Sequence, residues 1–470
     1  MILYEWKNLD YSKYSVIIFG SGPAGISTAL ELEKNDISSI IVEAGEEFYS
    51  EASQKFYKGD SDENIISNIA DSRLRQFGGT SGIWGGWCKP LEKFAFDSWP
   101  INHQDLDPYN EKTCEILDIK NQFQQSPINK DFNQNEFQYS NVRFGEKYES
   151  HIKKSNKILL VLNTQLSHFI GRHEKIDTAI CFSKNREIKI NSKIFILACG
   201  GIENSRILLW SRKKNNRLID QKLPIGKYWM THSWILSGAG ILNEKKLIKT
   251  MNGNFLKYDG SIHISSSEDL VKTNNILSSG LYMNKNEDIS IKKEIIKDLL
   301  CVAPDYGKKI ARLLVDKDLK CGNIFMHVEN EPSEKNVIEL SENKYDKNNI
   351  PQVNISYPER IKAITSAKFF LEQLAIFFKK NDIGRIAMSE KIYNLEDFDQ
   401  LGSFHHMGGT RMGNELNTSV VDKNLKVHNL KNLYVNGSSN FVTGCFSNPT
   451  FTIIQLSLRL AENIKKTLKL

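Results

Sequence analysis

The sequence has few of the features that mark secreted, metal-binding or membrane-spanning proteins. Its seven cysteines form no Cys-x-x-Cys pair and no cysteine–histidine group at metal-ligand spacing. No apolar run approaches the roughly 18 residues of a membrane-spanning helix. The first glycine turn begins at Gly20, which would leave no room for a cleaved signal peptide before it. We therefore expect a cytoplasmic protein with reduced thiols, no metal and no membrane span.

Proline and excess charge are also scarce. The 470 residues include only 11 prolines, and 62 basic against 56 acidic residues leave a formal charge of +6. The basic residues are scattered, whereas a nucleic-acid surface needs a basic stripe, so we expect no nucleic-acid partner. The chain is longer than the roughly 100 to 200 residues of one domain, which predicts two substantial lobes.

The first positive signal is the segment 14–47, YSVIIFGSGPAGISTALELEKNDISSIIVEAGEE. Its pattern predicts a buried strand, a Gly-x-Gly-x-x-Gly turn, a helix and a second strand. In such a turn Gly20 permits the tight bend, Gly22 lets a pyrophosphate approach the backbone, and Gly25 lets helix and strand pack closely. Pro23 suits the first turn of the helix. The segment predicts dinucleotide binding, with a glycine turn in an ordinary α/β protein as the alternative.

An acidic residue ends the second predicted strand, which covers residues 39–42. Glu43 follows 18 residues after Gly25, where a carboxylate can accept hydrogen bonds from both ribose hydroxyls. No Arg or Lys lies next to it in the chain to neutralise a 2′-phosphate, which argues against NADP. NAD and FAD both remain open from this stretch.

Two further glycine-rich stretches follow. FGGTSGIWGGWCKPL, residues 77–91, predicts backbone passing close to a flat group such as a flavin, or else a buried loop anchored by tryptophan. KIFILACGGIENSRILLWS, residues 193–211, predicts a strand that returns to the same sheet and then a helix, or else a plain core strand. Glu203, near the start of that helix, is interpreted as a fold or flavin-domain residue.

The carboxyl-terminal block combines histidines with a helix start. FHHMGGTRMG, residues 404–413, precedes a predicted strand at 433–435, a turn at Gly437 and a helix that begins at 448–450. The amino terminus of a helix stabilises negative charge, including that of a reduced flavin.

In this order, the segments resemble the glucose-methanol-choline (GMC) family of flavin oxidoreductases, and within it the branch that contains pyranose 2-oxidase. The resemblance implies an α/β fold with a Rossmann-like FAD-binding domain of the p-hydroxybenzoate-hydroxylase type. A discontinuous substrate domain would be built on a mixed β-sheet. We expect residues 1–100, 155–232 and 400–470 in the FAD-binding domain and residues 101–154 and 233–399 in the substrate-binding domain.

The resemblance also implies site residues. The histidine before Met-Gly-Gly-Thr, His406, would be the catalytic base, and Asn448 would be its partner. If the backbone is extended, adjacent side chains point to opposite faces, so His405 would not face the flavin. FAD would be held without a covalent link, because Ile83 stands where a histidine carries the flavin in related proteins. The predicted cofactor-binding residues are Gly20, Gly22, Pro23, Ala24, Gly25, Glu43, Gly78, Gly79, Thr80, Ser81, Trp84, Gly85, Gly86, Ala198, Gly200, Asn436, Gly437, Pro449 and Thr450.

The activity that the resemblance implies is FAD-dependent oxidation of a secondary alcohol to a ketone. The substrate would be a sugar, glycoside or related polyol, with hydride transfer to flavin N5 and His406 as base. The alternatives are a sterol or simple-alcohol oxidoreductase, a non-redox lyase of the hydroxynitrile type, and a flavin-binding partner protein without catalysis. The electron acceptor could be oxygen, a quinone or a carrier protein. The sequence leaves the exact substrate, oxidised carbon, acceptor, oligomeric state and pathway open.

Overall fold

A computed structural model describes residues 1–7, 10–61, 66, 68–215, 217–251, 261–284, 319–396 and 404–468. The strands are β1 (Ile2–Leu3), β2 (Val16–Phe19), β3 (Ser39–Val42), β4 (Gly59–Ser61), β5 (Trp87–Cys88), β6 (Gln125–Pro127), β7 (Phe132–Asn135), β8 (Gln138–Tyr139), β9 (Ile158–Val161), β10 (Thr164–Arg172), β11 (Lys175–Ser183), β12 (Arg186–Ile190), β13 (Ile194–Leu197), β14 (Ser233–Asn243), β15 (Ser261–Ser266), β16 (Ser279–Asn284), β17 (Leu319–Val328), β18 (Val337–Tyr345), β19 (Pro351–Ser356), β20 (Gly384–Met388) and β21 (Leu433–Val435). The helices are α1 (Pro23–Lys34), α2 (Glu51–Gln54), α3 (Asn110–Leu117), α4 (Phe144–Lys154), α5 (Gly200–Lys214), α6 (Glu244–Thr250), α7 (Glu268–Asn274), α8 (Ile361–Lys380), α9 (Glu390–Tyr393) and α10 (Thr450–Thr467).

A six-stranded parallel sheet forms the first layer, in the order β1-β9-β3-β2-β13-β21. Its strands β2, β3 and β13 are buried at every position, as expected for strands covered on both faces. The predicted strands at 16–19, 39–42 and 433–435 are confirmed. Because all the strands run in one direction, their carboxyl ends meet at one edge, where open α/β sheets bind ligands.

A seven-stranded sheet forms the second layer, in the order β20-β14-β17-β16-β15-β7-β6. The sequence predicted a mixed sheet here, but every pairing among the described residues is antiparallel. A short connection such as the one between β6 and β7 can join only antiparallel neighbours. The mixed sheet is instead a small one, in which β19 pairs antiparallel with β18 and parallel with β4. α8 packs its apolar face on the second layer.

The predicted domain boundaries remain a prediction, and parts of the ranges 233–399 and 400–470 lie outside the described residues. No helix in the described part of the chain is long and apolar enough to cross a lipid bilayer. Cys301 also lies outside the described residues. The cysteines whose free thiols are described are Cys88, Cys114, Cys181, Cys199 and Cys445.

Candidate active site

The turn between β2 and α1 allows a close approach to the backbone. Gly20 has a φ of 103°, and a Cβ there would lie 2.3 Å from the carbonyl oxygen of Ala198. A Cβ at Gly25 would lie 2.0 Å from the Gly20 carbonyl oxygen. A Cβ at Gly22 would meet no described protein atom within 4 Å, and Gly22 lines the cavity described next. α1 begins at Pro23 with no side-chain cap from the described residues, so its first N–H groups can bind an anion.

A cavity of about 340 Å³ lies at the carboxyl ends of the parallel strands β2, β3 and β13. It extends from the glycine turn to the amino terminus of α10, and both members of the histidine pair and Asn448 line it. The predicted cofactor-binding residues that line this cavity are Gly20, Gly22, Pro23, Ala24, Glu43, Gly79, Thr80, Ser81, Trp84, Gly85, Gly86, Ala198, Gly200, Gly437, Pro449 and Thr450.

The remaining predicted cofactor-binding residues, Gly25, Gly78 and Asn436, are not among the lining residues and support the walls instead. Gly78 has a φ of 86°, and a Cβ there would lie 2.4 Å from the Gly145 nitrogen. The Asn436 amide donates to the hydroxyl groups of Thr28 at 3.0 Å and Ser457 at 2.8 Å. Asn436 therefore connects the end of β21 to α1 and α10.

Glu43 lies where the sequence predicts it, directly after β3. Its carboxylate accepts hydrogen bonds from the Ser21 N–H at 2.9 Å, the Ser21 hydroxyl at 2.7 Å and the Gly45 N–H at 2.7 Å. These bonds hold the glycine turn in place. A carboxylate has about four acceptor positions, so Glu43 can also accept a ribose hydroxyl from the cavity.

The 77–91 segment combines a tryptophan anchor with a cavity wall. The Trp84 indole N–H donates to the Val142 carbonyl at 2.8 Å, which anchors the loop. The same loop lines the cavity through the glycines and hydroxyl residues that the sequence singled out. Tryptophan anchoring therefore fixes the position of a cavity wall.

Sequence reasoning missed Arg75, which lines the cavity near Glu43. Its carbonyl oxygen would lie 2.2 Å from a Cβ on Gly45, so the two segments are in contact. Burial lowers the pKa of Arg75, and the charges of Tyr57 and Glu43 oppose that effect. The chain neighbours of Glu43 include no Arg or Lys, but the fold brings the Arg75 cation close from 32 positions away in the sequence. Arg75 lies just before the glycine-rich segment 77–91 and belongs to none of the motifs, so no signal in the sequence pointed to it.

Both histidines of the 404–413 segment line the cavity. The expectation that only one would do so assumed an extended backbone. Phe404 instead has a φ of 47°, and residues 404–406 belong to no strand, so the alternation of side chains does not apply.

His406 is held among protein groups at the cavity wall. Its Nε2 lies 2.9 Å from the Ser72 hydroxyl, and its ring stacks on Trp229 with 6.0 Å between centroids. Burial and the charge of Arg73 lower its pKa to about 3. Its Nδ1 has no hydrogen-bond partner among the described residues.

His405 contacts the predicted partner residue. Its Nε2 lies 3.3 Å from the Asn448 amide nitrogen, and its Nδ1 lies 2.8 Å from Nδ1 of His232. Burial, together with His232, His327 and His406, holds the pKa of His405 well below its usual range. Asn448 therefore meets His405, where the sequence prediction paired it with His406. Asn448 also lines a second cavity, which has a volume of about 190 Å³. Asn448 and Trp87 line both cavities.

Glu203 belongs to a buried ionic network beside the first cavity. Its carboxylate lies 2.9 Å from the Arg73 guanidinium and 3.1 Å from that of Arg206. Arg206 also contacts Asp346 at 2.8 Å. The network joins α5 to the loop before β19, and Glu203 also lines the first cavity. Its interpretation as a fold or flavin-domain residue stays a prediction.

The carboxyl-terminal part of the chain matches a known family. Residues 332–457 match the family model described as GMC oxidoreductase. This match supports the resemblance to the GMC family.

Two curated proteins are similar to this chain. One is 2-methyl-1,2-propanediol dehydrogenase of Mycolicibacterium austroafricanum, 24% identical over 281 residues, which are 59% of this chain and 49% of that protein. The other is the fructose dehydrogenase large subunit of Gluconobacter japonicus, 23% identical over 309 residues, which are 62% of this chain and 51% of that protein.

The chain spans about half the length of the curated relatives it matches. Solved structures are similar over nearly the whole chain. Pyridoxine 4-oxidase from Mesorbium loti has a TM-score of 0.60 at 10% identity and covers 96% of this chain and 99% of its own. An FAD-dependent oxidoreductase from Chaetomium thermophilum has a TM-score of 0.61 at 12% identity and covers 97% of this chain and 100% of its own. The predicted fold class, an α/β fold with a Rossmann-like parallel sheet, is confirmed.

Proposed function

We propose that this chain is an FAD-dependent oxidoreductase that converts an alcohol to a carbonyl compound. The observation that carries the proposal is the position of one imidazole nitrogen. Nε2 of His405 lies 3.3 Å from the Asn448 amide, just before α10, inside the cavity that begins at the glycine turn. A base and a hydrogen-bonding amide at one end of a dinucleotide cavity suit proton removal from an alcohol next to a redox cofactor.

The cavity residues fit FAD. Gly22 leaves open space where any other residue would put a Cβ, and the uncapped amino terminus of α1 suits a pyrophosphate. Glu43 would hold the adenosine ribose, and the 78–86 loop with residues 448–450 would surround the flavin. When bound, FAD would supply the two-electron acceptor for alcohol oxidation.

We assign the base to His405. Its low pKa keeps the imidazole neutral at pH 7, so a nitrogen lone pair is available to accept the hydroxyl proton. Asn448 can hold the substrate oxygen without competing for that proton, because its amide does not titrate. His406, the base predicted from the sequence, is the alternative, since it lines the same cavity and its Nδ1 has no partner among the described residues.

The substrate class follows only coarsely. The two curated relatives carry the names of a diol and a sugar, and both are named dehydrogenases. These names support an alcohol as substrate. Oxidation of a secondary alcohol of a sugar, glycoside or polyol remains the finer prediction from the sequence, as do the pyranose 2-oxidase-like branch and a cytoplasmic location. The acceptor stays open among oxygen, a quinone and a carrier protein.

The test of the function separates redox chemistry from its alternatives. The purified protein is supplied with alcohols and an electron-accepting dye in the absence of oxygen. We expect the dye to be reduced in proportion to the aldehyde or ketone formed. A lyase of the hydroxynitrile type would leave these alcohols unchanged and would instead split an added cyanohydrin into a carbonyl compound and hydrogen cyanide without reducing the dye. A flavin-binding partner protein would form no product from either.

We predict that FAD is bound without a covalent link. Ile83 occupies the position before Trp84, and its side chain offers no nucleophile to the flavin. Denaturing the holoprotein in acid should release all the yellow colour into the supernatant. Colour that stays with the precipitated chain would contradict this assignment.

We predict that Glu43→Gln weakens FAD binding. The neutral amide cannot accept the two Ser21 hydrogen bonds and a ribose hydroxyl with a full negative charge, and each charge-assisted bond contributes about 1.5 to 3 kcal/mol. Titration of the apoprotein with FAD should show a dissociation constant raised at least about tenfold. Glu46→Gln, at an exposed position three residues later, is the control. If the two variants bound FAD with equal affinity, Glu43 would have no role in binding the ribose.

We predict that alcohol oxidation shows no acid limb near the ordinary histidine pKa. Burial lowers the pKa of His405, so the neutral form persists as pH falls through about 6.5 and is lost only well below it. The value of kcat/KM for the best alcohol should therefore stay nearly constant from about pH 8 to about pH 6. A fall with a midpoint near pH 6.5 would show that the base titrates like an exposed histidine.

A further inference from the structure

The second cavity adjoins the site at Asn448 and Trp87 and has a volume of about 190 Å³. Rings form most of its wall, contributed by Trp87, Phe137, Trp234, His263, Tyr282, His327 and Phe446. An engineered cavity of about 150 Å³ holds benzene, so this one has room for a single ring that carries a short substituent.

Strand register brings these rings together. His263 pairs with Tyr282 across β15 and β16, and Trp234 pairs with His327 across β14 and β17. Their ring centroids lie 5.1 Å and 4.3 Å apart, and Phe137 lies 4.8 Å from His263. Rings that contact one another in this way form a rigid wall before any ligand arrives.

The wall of the second cavity carries no formal charge, because no Asp, Glu, Lys or Arg of the described chain lines it. Burial lowers the pKa of His263 to about 4 and that of His327 well below its usual range, so both rings are neutral at pH 7. The Lys89 ammonium lies 5.1 Å from the Phe446 centroid and pairs with Glu92. An acidic ligand would find no counter-ion here, and a cationic one would meet a ring that a lysine already faces.

Ring faces also disfavour a free polyol. A buried hydroxyl without a partner loses its hydrogen bonds to water, and apart from the Asn448 amide the polar side-chain atoms of this wall belong to rings. An aromatic ligand instead gains from each well-placed contact between rings, beyond its buried area. The cavity therefore favours a flat, apolar body.

Building on the proposed function, we infer that the second cavity selects a neutral alcohol whose hydroxyl-bearing carbon is attached to one aromatic or heteroaromatic ring. The ring would fill the cavity, and the hydroxyl would reach Asn448 and His405 at its mouth. This class of substrates excludes the free sugars that the sequence favours.

The test compares reduction of the bound flavin by matched alcohols under nitrogen. Benzyl alcohol should reduce it with kred/Kd at least about tenfold above cyclohexylmethanol, glucose and 4-(hydroxymethyl)benzoate. Faster reduction by any of these three would overturn the inference and leave the proposed function intact. No reduction by any alcohol, with the flavin still reducible by dithionite, would overturn the proposed function and this inference with it.

A variant adds a readout that does not depend on turnover. A Cβ at Gly280 would lie 2.3 Å from the Phe446 ring, so Gly280→Ala should push that ring into the cavity. Benzyl alcohol should quench the fluorescence of the native protein through Trp87 and Trp234, and the variant should bind it at least about tenfold more weakly. Unchanged binding in a folded variant with full flavin content would exclude the ring from this cavity.

A separate contact carries a second inference: the geometry points to His232 as a positioning residue for His405. The two Nδ1 atoms are 2.8 Å apart, so one proton lies between them. The other nitrogen of His232, Nε2, faces residue 444, because a Cβ on Gly444 would lie 3.2 Å from it.

The Asn448 amide determines which ring donates. Its nitrogen can only donate, so Nε2 of His405 accepts and the proton of the neutral His405 ring lies on Nδ1. Nδ1–H of His405 therefore donates to Nδ1 of His232, and the proton of the neutral His232 ring lies on Nε2. This tautomer leaves the lone pair of His405 on Nε2, where the Asn448 amide donates and where the substrate proton must arrive.

The test asks whether an acceptor at this position restores activity. Asn places an oxygen close to where His232 Nδ1 lies, whereas Leu offers no acceptor. His232→Leu should reduce kcat by about 10² with KM and FAD content little changed, and His232→Asn should recover most of that loss. An equal loss of kcat in both variants would show that His232 contributes only packing.

Discussion

Replacing His405 by alanine is expected to slow reduction of the bound flavin by about 10² to 10⁴, the scale of a lost general base. The variant should retain FAD, because the glycine turn, Glu43 and α1 hold the other end of the cavity. The loss should fall on kcat and kcat/KM together, since the base acts on the hydroxyl proton in the transition state. Rapid mixing of the oxidised holoprotein with the best alcohol under nitrogen measures this step directly.

His406→Ala is the matched control for that experiment. Its Nε2 already meets Ser72, and its ring stacks on Trp229, so its loss should slow reduction by less than about tenfold while weakening the local packing. If His406→Ala were the slower variant, the base would be His406, as the Met-Gly-Gly-Thr motif suggested. Asn448 would then act without its observed contact to His405.

Replacing Arg206 by alanine is expected to lower the free energy of unfolding by about 3 to 5 kcal/mol, as when one partner of a buried ion pair is removed. Its guanidinium lies within 3.1 Å of the Glu203 and Asp346 carboxylates and donates to the Pro351 carbonyl at 2.7 Å. The change would leave Asp346 without its buried cation. Urea unfolding at saturating FAD gives the free energy.

Lys344→Ala is the control for the ionic network. Lys344 also pairs with an aspartate, Asp60, at 2.6 Å, but both side chains are about half exposed. Such a surface pair contributes about 0 to 1 kcal/mol, so this variant should unfold almost like the native protein. Equal losses in the two variants would mean that burial does not set the strength of the Arg206 contacts.

Local patterns sufficed for the first layer of the fold. The strands at 16–19 and 39–42 and the glycine turn follow from short-range rules, because each is a continuous run with one role. The choice between His405 and His406 did not follow. It depends on a left-handed φ at Phe404, which the sequence does not reveal at a residue other than glycine.

The second cavity was also beyond the sequence. Trp234 and His327 are 93 positions apart and meet only because β14 and β17 pair in one register. A shift of one residue would turn both rings to the other face of the sheet. Arg75 shows the same limit, since its approach to Glu43 depends on how two loops cross.

The central claim is that an alcohol reduces an FAD bound in the first cavity. The purified holoprotein is mixed with a panel of aromatic, aliphatic and sugar alcohols in oxygen-free solution while its visible flavin absorbance is followed. The account predicts that at least one alcohol bleaches the flavin, at a rate that saturates with its concentration, and yields one carbonyl product per flavin reduced. A flavin that stays oxidised with every alcohol, yet is bleached by dithionite, would contradict it.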